Sequence, residues 1–522
     1  MAQDAHSSSR MIYWIIALGI AIRAFAAIFT YVINPDGMVY IQQAKAIFHR
    51  DWLLVRSCVP FVSSYPFLIA AVYWILPSWI DAARVVSVFF GSMTLVPLYG
   101  LLRRFVDKGT ACLSVLLYAF MPFLVGGSAD LIRDPICWFF MVSALFFFIK
   151  QLETRGPFWR RVYYLTLSYA LFLMAGWARP EAFMALIFSC AFIFLYGLFS
   201  EDRRTVLVAI SSLLLLGLFV AAGLSLFDPS LTGYFTGGSD KLFAFIDRYR
   251  DLRQQLGVVT DDLRRGVLLS FLSKVKNLIW LIDLGVLIGN SIAGIFYPYI
   301  PFFVFGFFGL WKKLKKDPKV AYLVILFMLG YGLLFLHILQ IWYMEHRFLY
   351  IVVFPGCLLA AFGIEKTICF IQNKLGWKAS AVMILIFLYI LAFGLGKNIK
   401  KRDEDKRVYL QIAECISKLE KPDHAFVPVV TDDSSSLKLV PFYVNLHQPT
   451  GYCPLQAAPD IRDNDTLFRY VKENAVKYLL WDDKGWRKTH VDIRGEDFRQ
   501  VFDSLGRWYH RERGNIILFC RR

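Results

Sequence analysis

The sequence has no closely spaced cysteine pair, no glycine-rich phosphate loop and few charged residues. Its nine cysteines show neither CxxC nor metal-like spacing, so no metal or redox site is indicated. Without a glycine-rich loop, nothing indicates nucleotide binding. Charged residues make up only 19% of the 522 residues, whereas 57% are hydrophobic and the mean hydropathy is +0.51. This composition excludes an ordinary soluble protein and is typical of a polytopic membrane protein.

The chain carries a net charge of +17, from 57 basic and 40 acidic residues. A basic protein of this kind could bind nucleic acid. However, the lysines and arginines cluster in short stretches between apolar runs, which is the pattern that the positive-inside rule gives to cytoplasmic loops. We therefore expect membrane lipids around the protein and no nucleic-acid partner.

Eleven apolar runs come close to the length that crosses a bilayer. They cover residues 11–33, 82–102, 110–127, 136–149, 162–178, 181–200, 205–227, 291–311, 320–341, 348–364 and 379–396. Two shorter apolar segments, 65–76 and 277–290, are placed on the outer side, because every strong basic cluster between helices then faces the cytoplasm. The sequence thus predicts about 11 transmembrane helices in the cell inner (plasma) membrane, with the N-terminus cytoplasmic and the C-terminus extracytoplasmic.

The composition changes after residue 396. Residues 1–396 form the predicted transmembrane domain, with long outer loops at 34–81 and 228–290. Residues 397–522 are charged, contain no spanning run and alternate helical with strand-like patterns. The predicted fold class is a polytopic α-helical membrane protein with a C-terminal soluble α/β domain outside the membrane.

The first outer loop combines a turn-like sequence with an acid. "INPDGMVYIQQAKAIFHRDW" (33–52) directly follows the first apolar run. Asn-Pro-Asp-Gly is typical of a turn in which Gly37 frees the backbone, and the stretch from Tyr40 has the pattern of a helix lying at the membrane interface. Asp36 is either part of an ordinary turn or an acid held where water meets lipid. At that depth it would keep enough water to act as a base.

Further polar groups occur at the outer ends of the predicted helices. They are Asp130, Arg133 and Asp134 in "ADLIRDPICWFF", Arg179 and Glu181 in "AGWARPEAFM", and Glu345, His346 and Arg347 in "WYMEHRFLY". Each can be explained as a helix-end charge or a structural ion pair, since intramembrane charges often pair with each other. Asp134 is harder to explain in this way, because the adjacent Arg133 is not needed to cap the helix that Asp-Pro opens.

Carboxylates and arginines together at the lipid boundary suit a particular reaction. Displacing a phosphate from the anomeric carbon of a sugar requires a base for the incoming hydroxyl and cations for the departing phosphate. If the sugar is attached to a polyprenyl phosphate, that phosphate lies at the depth of the lipid headgroups, where these residues are predicted.

The order of these features resembles the GT-C glycosyltransferases. The outer aspartate is followed by an aromatic-proline turn, "ARVVSVFFGSMTLVPLYGLLRRF", "FMPFLVGGSADLIRDP", an "ARPEAF" turn and "EHRFLY" before "FPG". The resemblance covers about residues 1–400 and is to the branch that contains protein O-mannosyltransferases and bacterial lipid A aminoarabinose transferases. It implies the GT-C fold, a sugar donor linked to polyprenyl phosphate, and inversion at the anomeric carbon.

The resemblance also implies roles for individual residues. Asp36 matches the catalytic acid of the first loop, and Asp134 matches the acid of the second loop that precedes a proline. A family lysine is replaced here by Tyr65 before Pro66, so we expect Arg133 or Arg347 to bind the donor phosphate. The remaining candidate substrate contacts are Tyr40, Tyr65, Asp130, Arg179, Glu181, Glu345 and His346.

No cofactor is expected. Oxygen ligands from Asp36 and Asp134 could share a divalent ion, but the branch that the sequence resembles uses metal-independent chemistry, so we predict no metal site.

The sequence thus predicts an integral membrane glycosyltransferase whose acceptor, a glycan, a lipid or a protein, lies on the extracytoplasmic side. A transporter or flippase of lipid-linked sugars is a second hypothesis. It predicts inverted repeats, and the sequence shows no such symmetry. A non-catalytic membrane subunit of an envelope polysaccharide assembly is a third. Acceptor-dependent release of polyprenyl phosphate would distinguish the enzyme from both.

Overall fold

The computed structural model of the protein is mostly helical. It describes residues 2–58, 62–200, 202–225, 239–262, 266–420, 426–431, 437–448 and 461–522. The chain divides into two compact units. The first, which we call the membrane unit, comprises Met1–Phe25, Ser87–Ser128 and Arg133–Ile399. The second, which we call the tail unit, comprises Ala26–Val86, Ala129–Ile132 and Lys400–Arg522.

Nineteen of the helices in the described residues precede residue 400. The first ten are α1 (Ala2–Ile28), α2 (Pro35–Phe48), α3 (Trp52–Cys58), α4 (Ser64–Tyr73), α5 (Trp79–Met93), α6 (Leu95–Leu102), α7 (Lys108–Ala119), α8 (Pro122–Ala129), α9 (Asp134–Glu153) and α10 (Phe158–Ala178). The other nine are α11 (Phe183–Phe199), α12 (Arg203–Ser225), α13 (Ser239–Asp262), α14 (Val267–Ile295), α15 (Ile300–Leu314), α16 (Pro318–Ile341), α17 (Tyr350–Val353), α18 (Cys357–Leu375) and α19 (Ala379–Asn398). Short 3-10 helices cover Pro180–Ala182, Tyr297–Tyr299 and His346–Leu349.

Among the described residues, fewer helices than the predicted eleven meet the length and hydropathy criteria for a membrane span. Seven helices of the described chain are long and apolar enough to cross a membrane, and the number rises to nine if each of two bent helix pairs counts as one span. The two pairs are α7 with α8, bent by 53°, and residues His346–Val353 with α18, bent by 73°. The multi-pass membrane fold is therefore confirmed, whereas the count of eleven is not.

The largest departure from the prediction concerns residues 277–311. Segment 277–290, which we placed outside the membrane, lies within α14, a continuous helix of 29 residues that passes the length and hydropathy criteria for a span. The predicted span 291–311 is broken instead, because the backbone turns at Phe296 with a φ of 81° and Pro298 follows. Neither residue can continue the hydrogen-bond ladder of α14. The predicted orientation of the two termini depends on the number of spans and stays a prediction.

Close packing in the membrane unit depends on glycine where α15 meets α18. A Cβ atom at Gly306 would overlap the main-chain oxygen of Leu359, and one at Gly363 would overlap that of Phe302. Small residues at such positions let two membrane helices approach closely enough for extensive van der Waals contact. The two glycines are therefore required by this helix pair.

A buried arginine joins α1 to its neighbours in the membrane unit. The Arg23 side chain is 1% exposed. Its guanidinium donates to Ser128 Oγ (3.2 Å) and to the carbonyl oxygens of Ala119 (2.9 Å) and Gly19 (3.0 Å). A buried cation in a membrane helix is costly unless its donors are satisfied. These bonds make Arg23 part of the helix packing.

The tail unit contains a small mixed sheet. Its helices after residue 400 are α20 (Arg407–Leu419), α21 (Leu439–Val444), α22 (Asn464–Glu473) and α23 (Glu496–Val501). Its strands are β1 (Val429–Val430), β2 (Tyr478–Asp482), β3 (Phe502–His510) and β4 (Gly514–Arg521), in the order β1-β2-β4-β3. Only β1 and β2 pair in parallel. The predicted α/β character of this region is confirmed. Its boundary at residue 397 stays a prediction, and residues 26–86 belong to the same compact unit.

The helix α2 differs from its prediction in two respects. It begins at Pro35 rather than at Tyr40, because the Asn34 side chain caps it and proline suits the first helical position. It is also not a surface helix. Gln42, Gln43 and Lys45, which the amphipathic pattern would expose, are each only 1% exposed, and α2 packs against α3 and α4.

Candidate active site

Asp36 lies in the first turn of α2, in the tail unit. The Asn34 side chain accepts a hydrogen bond from the Asp36 N–H (2.9 Å), which fixes the start of the helix. The Asp36 residue is half-buried. A carboxylate at a helix N-terminus is stabilised by the helix dipole, and partial exposure leaves it accessible to a ligand. The turn chemistry of the sequence therefore places the acid on a rigid element.

The residue after Asp36 is a glycine for a reason that the sequence did not reveal. Gly37 has an ordinary helical backbone and is not among the glycines with positive φ. A Cβ atom here would lie 2.9 Å from Leu131 Cβ and 3.2 Å from the Leu131 carbonyl oxygen. Close contact with Leu131, rather than backbone freedom, therefore explains glycine at this position.

Two tyrosines pack together on the half-buried side of α2 that carries Asp36. The rings of Tyr40 and Tyr65 meet edge to face, with 5.3 Å between centroids. Tyr65 is fully buried and its hydroxyl donates to the Ala83 carbonyl oxygen (3.0 Å), whereas Tyr40 is half-buried. Tyr40 lies one helical turn after Asp36, on the same side of α2. Tyr40 thus stays a candidate substrate contact, and Tyr65 holds its ring in place.

Asp134 forms a buried ion pair in the membrane unit. It begins α9, is 1% exposed, and its Oδ1 accepts a hydrogen bond from Arg179 Nη1 at 2.6 Å. Arg179 follows the C-terminus of α10, and Glu181 lies two residues further on in a 3-10 helix. The second nitrogen of Arg179 bonds to Glu181 Oε1 at 3.3 Å. One guanidinium therefore holds two carboxylates together, as expected for a charged group within apolar surroundings.

Aromatic rings complete the surroundings of Arg179. Its guanidinium carbon lies 4.8 Å from the centroid of the Phe348 ring and 5.8 Å from that of Tyr350. Such cation–π contacts strengthen where water is excluded. The "EHRFLY" segment therefore contacts the Asp134–Arg179–Glu181 cluster through its aromatic residues, Phe348 and Tyr350, rather than through its charged ones.

The charged residues of the same segment pair locally. Arg347 Nε lies 2.6 Å from Glu345 Oε2, and the Arg347 guanidinium carbon lies 5.5 Å from the Phe348 ring centroid. His346 packs on α14, since a Cβ atom at Gly294 would lie 3.1 Å from His346 Nδ1. Glu345, His346 and Arg347 thus lie beside Phe348, which contacts Arg179. The membrane unit brings these six predicted polar residues into one region.

Some buried polar atoms in this region have no hydrogen-bond partner in the described structure. They are Asp134 Oδ2, His337 Nε2 and Tyr350 Oη. The His337 ring packs against Phe348, with 4.9 Å between centroids. An unsatisfied buried polar atom in a native structure requires an explanation, and a bound ligand is one.

Asp130, predicted beside Asp134, has a different ion-pair partner. Asp130 belongs to the tail unit, where its carboxylate pairs with Arg402 at 3.2 Å. This partner lies 272 residues away in the sequence, so no local pattern could indicate it. Arg133 immediately precedes α9. Asp130 thus forms a structural ion pair within the tail unit.

The opposite end of α9 carries a different ion-pair network. Glu153 bonds through Oε2 to Arg104 Nη1 (3.1 Å) and through Oε1 to Lys319 Nζ (2.9 Å). Arg104 and Lys319 belong to the basic connections 103–108 and 311–319. The 20 residues of α9 span about 30 Å, which matches the hydrocarbon thickness of a bilayer. The Asp134 cluster and these basic connections therefore lie at opposite ends of a spanning helix.

Within the part of the chain that the structure describes, no group of three His, Cys, Asp or Glu side chains could hold a metal ion. Whether Asp36 and Asp134 act without a metal stays a prediction from the sequence.

The chain shares its fold with known membrane proteins. Residues 60–230 match the family of dolichyl-phosphate-mannose-protein mannosyltransferases. No curated protein matches the chain by sequence. ArnT from Cupriavidus metallidurans in the apo state has a TM-score of 0.61 and 12% identity, with 98% of each chain covered. ArnT bound to undecaprenyl phosphate has a TM-score of 0.59 and 11% identity, with 97% of each chain covered.

An archaeal protein gives a similar match. The oligosaccharyltransferase AglB from Archaeoglobus fulgidus, in complex with an inhibitory peptide and a dolichol-phosphate, has a TM-score of 0.59 and 14% identity. The match covers 90% of this chain and 69% of that one. Together these matches show that the chain has the GT-C fold.

Proposed function

We propose that this GT-C protein transfers a sugar from a polyprenyl-phosphate donor to an acceptor on the extracytoplasmic face, with inversion at the anomeric carbon. The observation that carries the proposal is the clustering of acidic and arginine side chains at one end of the spanning helices of a GT-C fold. Two proteins of similar fold have been solved with a dolichol-phosphate or with undecaprenyl phosphate bound, and this supports a polyprenyl phosphate as part of the donor.

The proposed side of the membrane follows from the two ends of α9. Asp134 begins the helix, and Glu153 at its other end binds arginine and lysine from basic connections. Basic connections remain on the cytoplasmic side during membrane insertion. This supports an extracytoplasmic position for the Asp134 cluster, and with it the proposed localisation in the cell inner (plasma) membrane.

Asp36 is the proposed base. Its carboxylate accepts the proton of the acceptor hydroxyl while the acceptor oxygen forms a bond to the anomeric carbon. The bond between that carbon and the phosphate oxygen breaks, and its electron pair leaves with the polyprenyl phosphate. Attack from the side opposite the leaving phosphate gives inversion. The proton passes from Asp36 to water or to the released phosphate, so that the base is restored.

Asp134 is the proposed positioning acid. Its Oδ1 is occupied by Arg179, whereas its Oδ2 accepts no hydrogen bond from the described residues. A carboxylate held in this way can accept a hydrogen bond from a sugar or acceptor hydroxyl without moving. Arg179 and Glu181 fix its orientation, and Glu345, His346, Tyr40 and Asp130 stay candidate contacts.

Arg347, with Arg133, is the proposed binding group for the donor phosphate. Arg347 is partly buried, pairs with Glu345 and borders Phe348. A guanidinium binds a phosphate through two parallel hydrogen bonds, which an ammonium cannot reproduce. An Arg347→Lys variant should therefore raise the KM for the donor more than it lowers kcat. An unchanged KM would remove Arg347 from this role.

The activity itself can be tested with purified protein in detergent or liposomes. The protein is incubated with polyprenyl-phosphate sugars and candidate glycan, lipid and protein acceptors, and release of polyprenyl phosphate is measured by mass spectrometry. The expected result is release that requires an acceptor and the intact Asp36 carboxylate. Movement of the lipid-linked sugar across liposomes without cleavage would contradict the proposal and indicate a flippase. Comparing glycans from a strain lacking the gene with those of its parent would identify the sugar.

A further inference from the structure

The part of the chain that precedes Asp36 is hydrogen-bonded to residues 400–522, the C-terminal part of the tail unit, which we call the tail. Residues 29–31 run beside Arg402, whose N–H donates to the Phe29 carbonyl oxygen (3.1 Å) and whose carbonyl accepts from the Tyr31 N–H (3.3 Å). The Arg407 guanidinium lies over the Tyr31 ring, 5.4 Å from its centroid. These contacts fix the chain immediately before α2 to the start of the tail.

Closer to Asp36, one tyrosine makes the connection. The Tyr443 hydroxyl oxygen accepts a hydrogen bond from the Ile33 N–H at 3.0 Å. Ile33 is three residues before Asp36 and directly precedes the cap residue Asn34. A backbone N–H at this position has no partner within α2, so Tyr443 supplies the bond that the helix cannot.

The last turn of α2 is hydrogen-bonded to the residues that follow Tyr443 in the tail. Lys45, 1% exposed, donates from Nζ to the carbonyl oxygens of Leu446 and of Gln448, the latter at 3.3 Å. Burial lowers the pKa of Lys45 from its usual 10.5 to about 8. A buried lysine is a costly way to join two segments. An apolar side chain would pack at lower cost but would not define the register of α2 against main-chain carbonyls.

Both attachments lead to one short segment, residues 443–448, at the end of α21. We infer that this segment positions the Asp36 carboxylate by holding α2 at both flanks, with Tyr443 and Lys45 as positioning residues. The inference rests on the proposed role of Asp36 as the base. It gives the tail a specific task in the reaction, which is to hold the base rather than to bind the donor or acceptor.

Positioning of this kind predicts a distinct kinetic effect. Tyr443→Phe removes only the hydroxyl that accepts from Ile33, and Lys45→Met removes the amino group while keeping a long apolar side chain. Each should lower kcat by between about 10-fold and 100-fold, because a displacement of about 1 Å is enough to misalign a reacting group. The KM for the donor should not change. Each variant should have almost no further effect when Asp36→Asn is also present.

The tail offers matched controls. Tyr478 Oη donates to Glu420 at 2.6 Å, and Lys477 Nζ donates to the same carboxylate at 2.9 Å. Tyr478→Phe and Lys477→Met therefore remove the same chemical groups from the tail without touching α2. Both should keep the kcat of the unmodified protein. Equal losses in the controls and in Tyr443→Phe or Lys45→Met would overturn the inference, as would full additivity with Asp36→Asn.

Amide hydrogen exchange of the full-length protein separates this inference from the proposed function. Peptides covering residues 33–48 should exchange faster in Tyr443→Phe and Lys45→Met than in the two controls. If Asp36→Asn retains full transfer activity while exchange behaves as expected, the tail positions α2 and the proposed role of Asp36 is wrong. Unchanged exchange in all four variants would overturn the inference even if the enzyme is active.

Discussion

Asp36 and Asp134 have similar local sequences and very different surroundings. Each lies in the first turn of a helix with a neighbouring proline at one of the first two positions. Asp36 is half-buried on a helix that is hydrogen-bonded to the tail. Asp134 is 1% exposed and bound to a buried arginine. A half-buried acid can exchange protons with a substrate and with water, and a fully buried acid bound to an arginine can fix a geometry. The comparison therefore supports different proposed tasks for two residues that the sequence presents as a pair.

Glu153 provides a third case, at the far end of α9. Both of its oxygens have cationic partners, and its side chain is 24% exposed. Its ion pairs satisfy both carboxylate oxygens, whereas Asp134 has one oxygen without a hydrogen-bond partner in the described structure. Among the described residues, Asp134 thus differs from Glu153 in having a carboxylate oxygen without a hydrogen-bond partner, although both acids form ion pairs.

The largest effect is expected for Asp36. Asp36→Asn should lower transfer by about 10²-fold to 10⁴-fold, the usual contribution of a general base, while the melting temperature and donor binding stay unchanged. Acceptor-dependent release of polyprenyl phosphate measures transfer, and thermal unfolding in detergent measures the melting temperature. Near-normal transfer by this variant would show that the start of α2 has only a structural role.

For Asp134, in contrast to Asp36, a large loss of stability is expected. Asp134→Asn should destabilise the fold by about 3–5 kcal/mol, because it leaves Arg179 buried without its nearest counter-charge. Thermal unfolding of the purified variant measures this loss. An equally stable Asp134→Asn variant would mean that Glu181 alone compensates Arg179, and the contrast with Asp36 would then disappear.

The pH dependence of stability should report on the attachment of α2. The pKa of Lys45 is about 8 in the folded protein and near 10.5 when unfolded. Between these values the unfolded chain binds more protons, so stability rises with pH. The unmodified protein should gain up to about 3 kcal/mol relative to Lys45→Met between pH 8 and pH 10.5. Melting curves that run parallel over this interval would place Lys45 in contact with water.

The smallest effect is expected for Glu153. Glu153→Gln should cost about 1 kcal/mol or less, because its ion pairs are partly exposed, and transfer should stay unchanged. The measurement is the same pair of unfolding and transfer assays. A loss of transfer would connect the two ends of α9 and contradict their separation into a structural end and a reactive end.

Much of the architecture follows from the sequence alone. The length and apolar character of the runs require membrane helices, since the bilayer contains no water to satisfy an irregular backbone. The order of short polar motifs was enough to indicate the GT-C fold. The break at Phe296 was not predicted, because the apolar pattern continues through it and Pro298 alone did not outweigh that pattern.

The site could be predicted only in part. Residue type identified Asp36, Asp134, Arg179 and Glu181 as candidates, because charged groups at a membrane boundary stand out in an apolar sequence. Phe348, His337 and Tyr350, which pack around the Arg179 cluster, were not among the predicted candidates, because aromatic and histidine side chains in an apolar run look like packing. Their contacts with the cluster join distant parts of the chain and require coordinates.

The sequence by itself determined the membrane fold and the set of charged candidates, because both follow from local composition and spacing. Only the tertiary structure decided which carboxylate is buried against Arg179, that Asp130 pairs with Arg402, and that Ile33 and Lys45 hydrogen-bond to residues 443–448. Each of these contacts joins residues far apart in the chain, as with the 410 positions between Ile33 and Tyr443. Burial and hydrogen bonding between such residues depend on how the whole chain packs, and no local pattern carries that information.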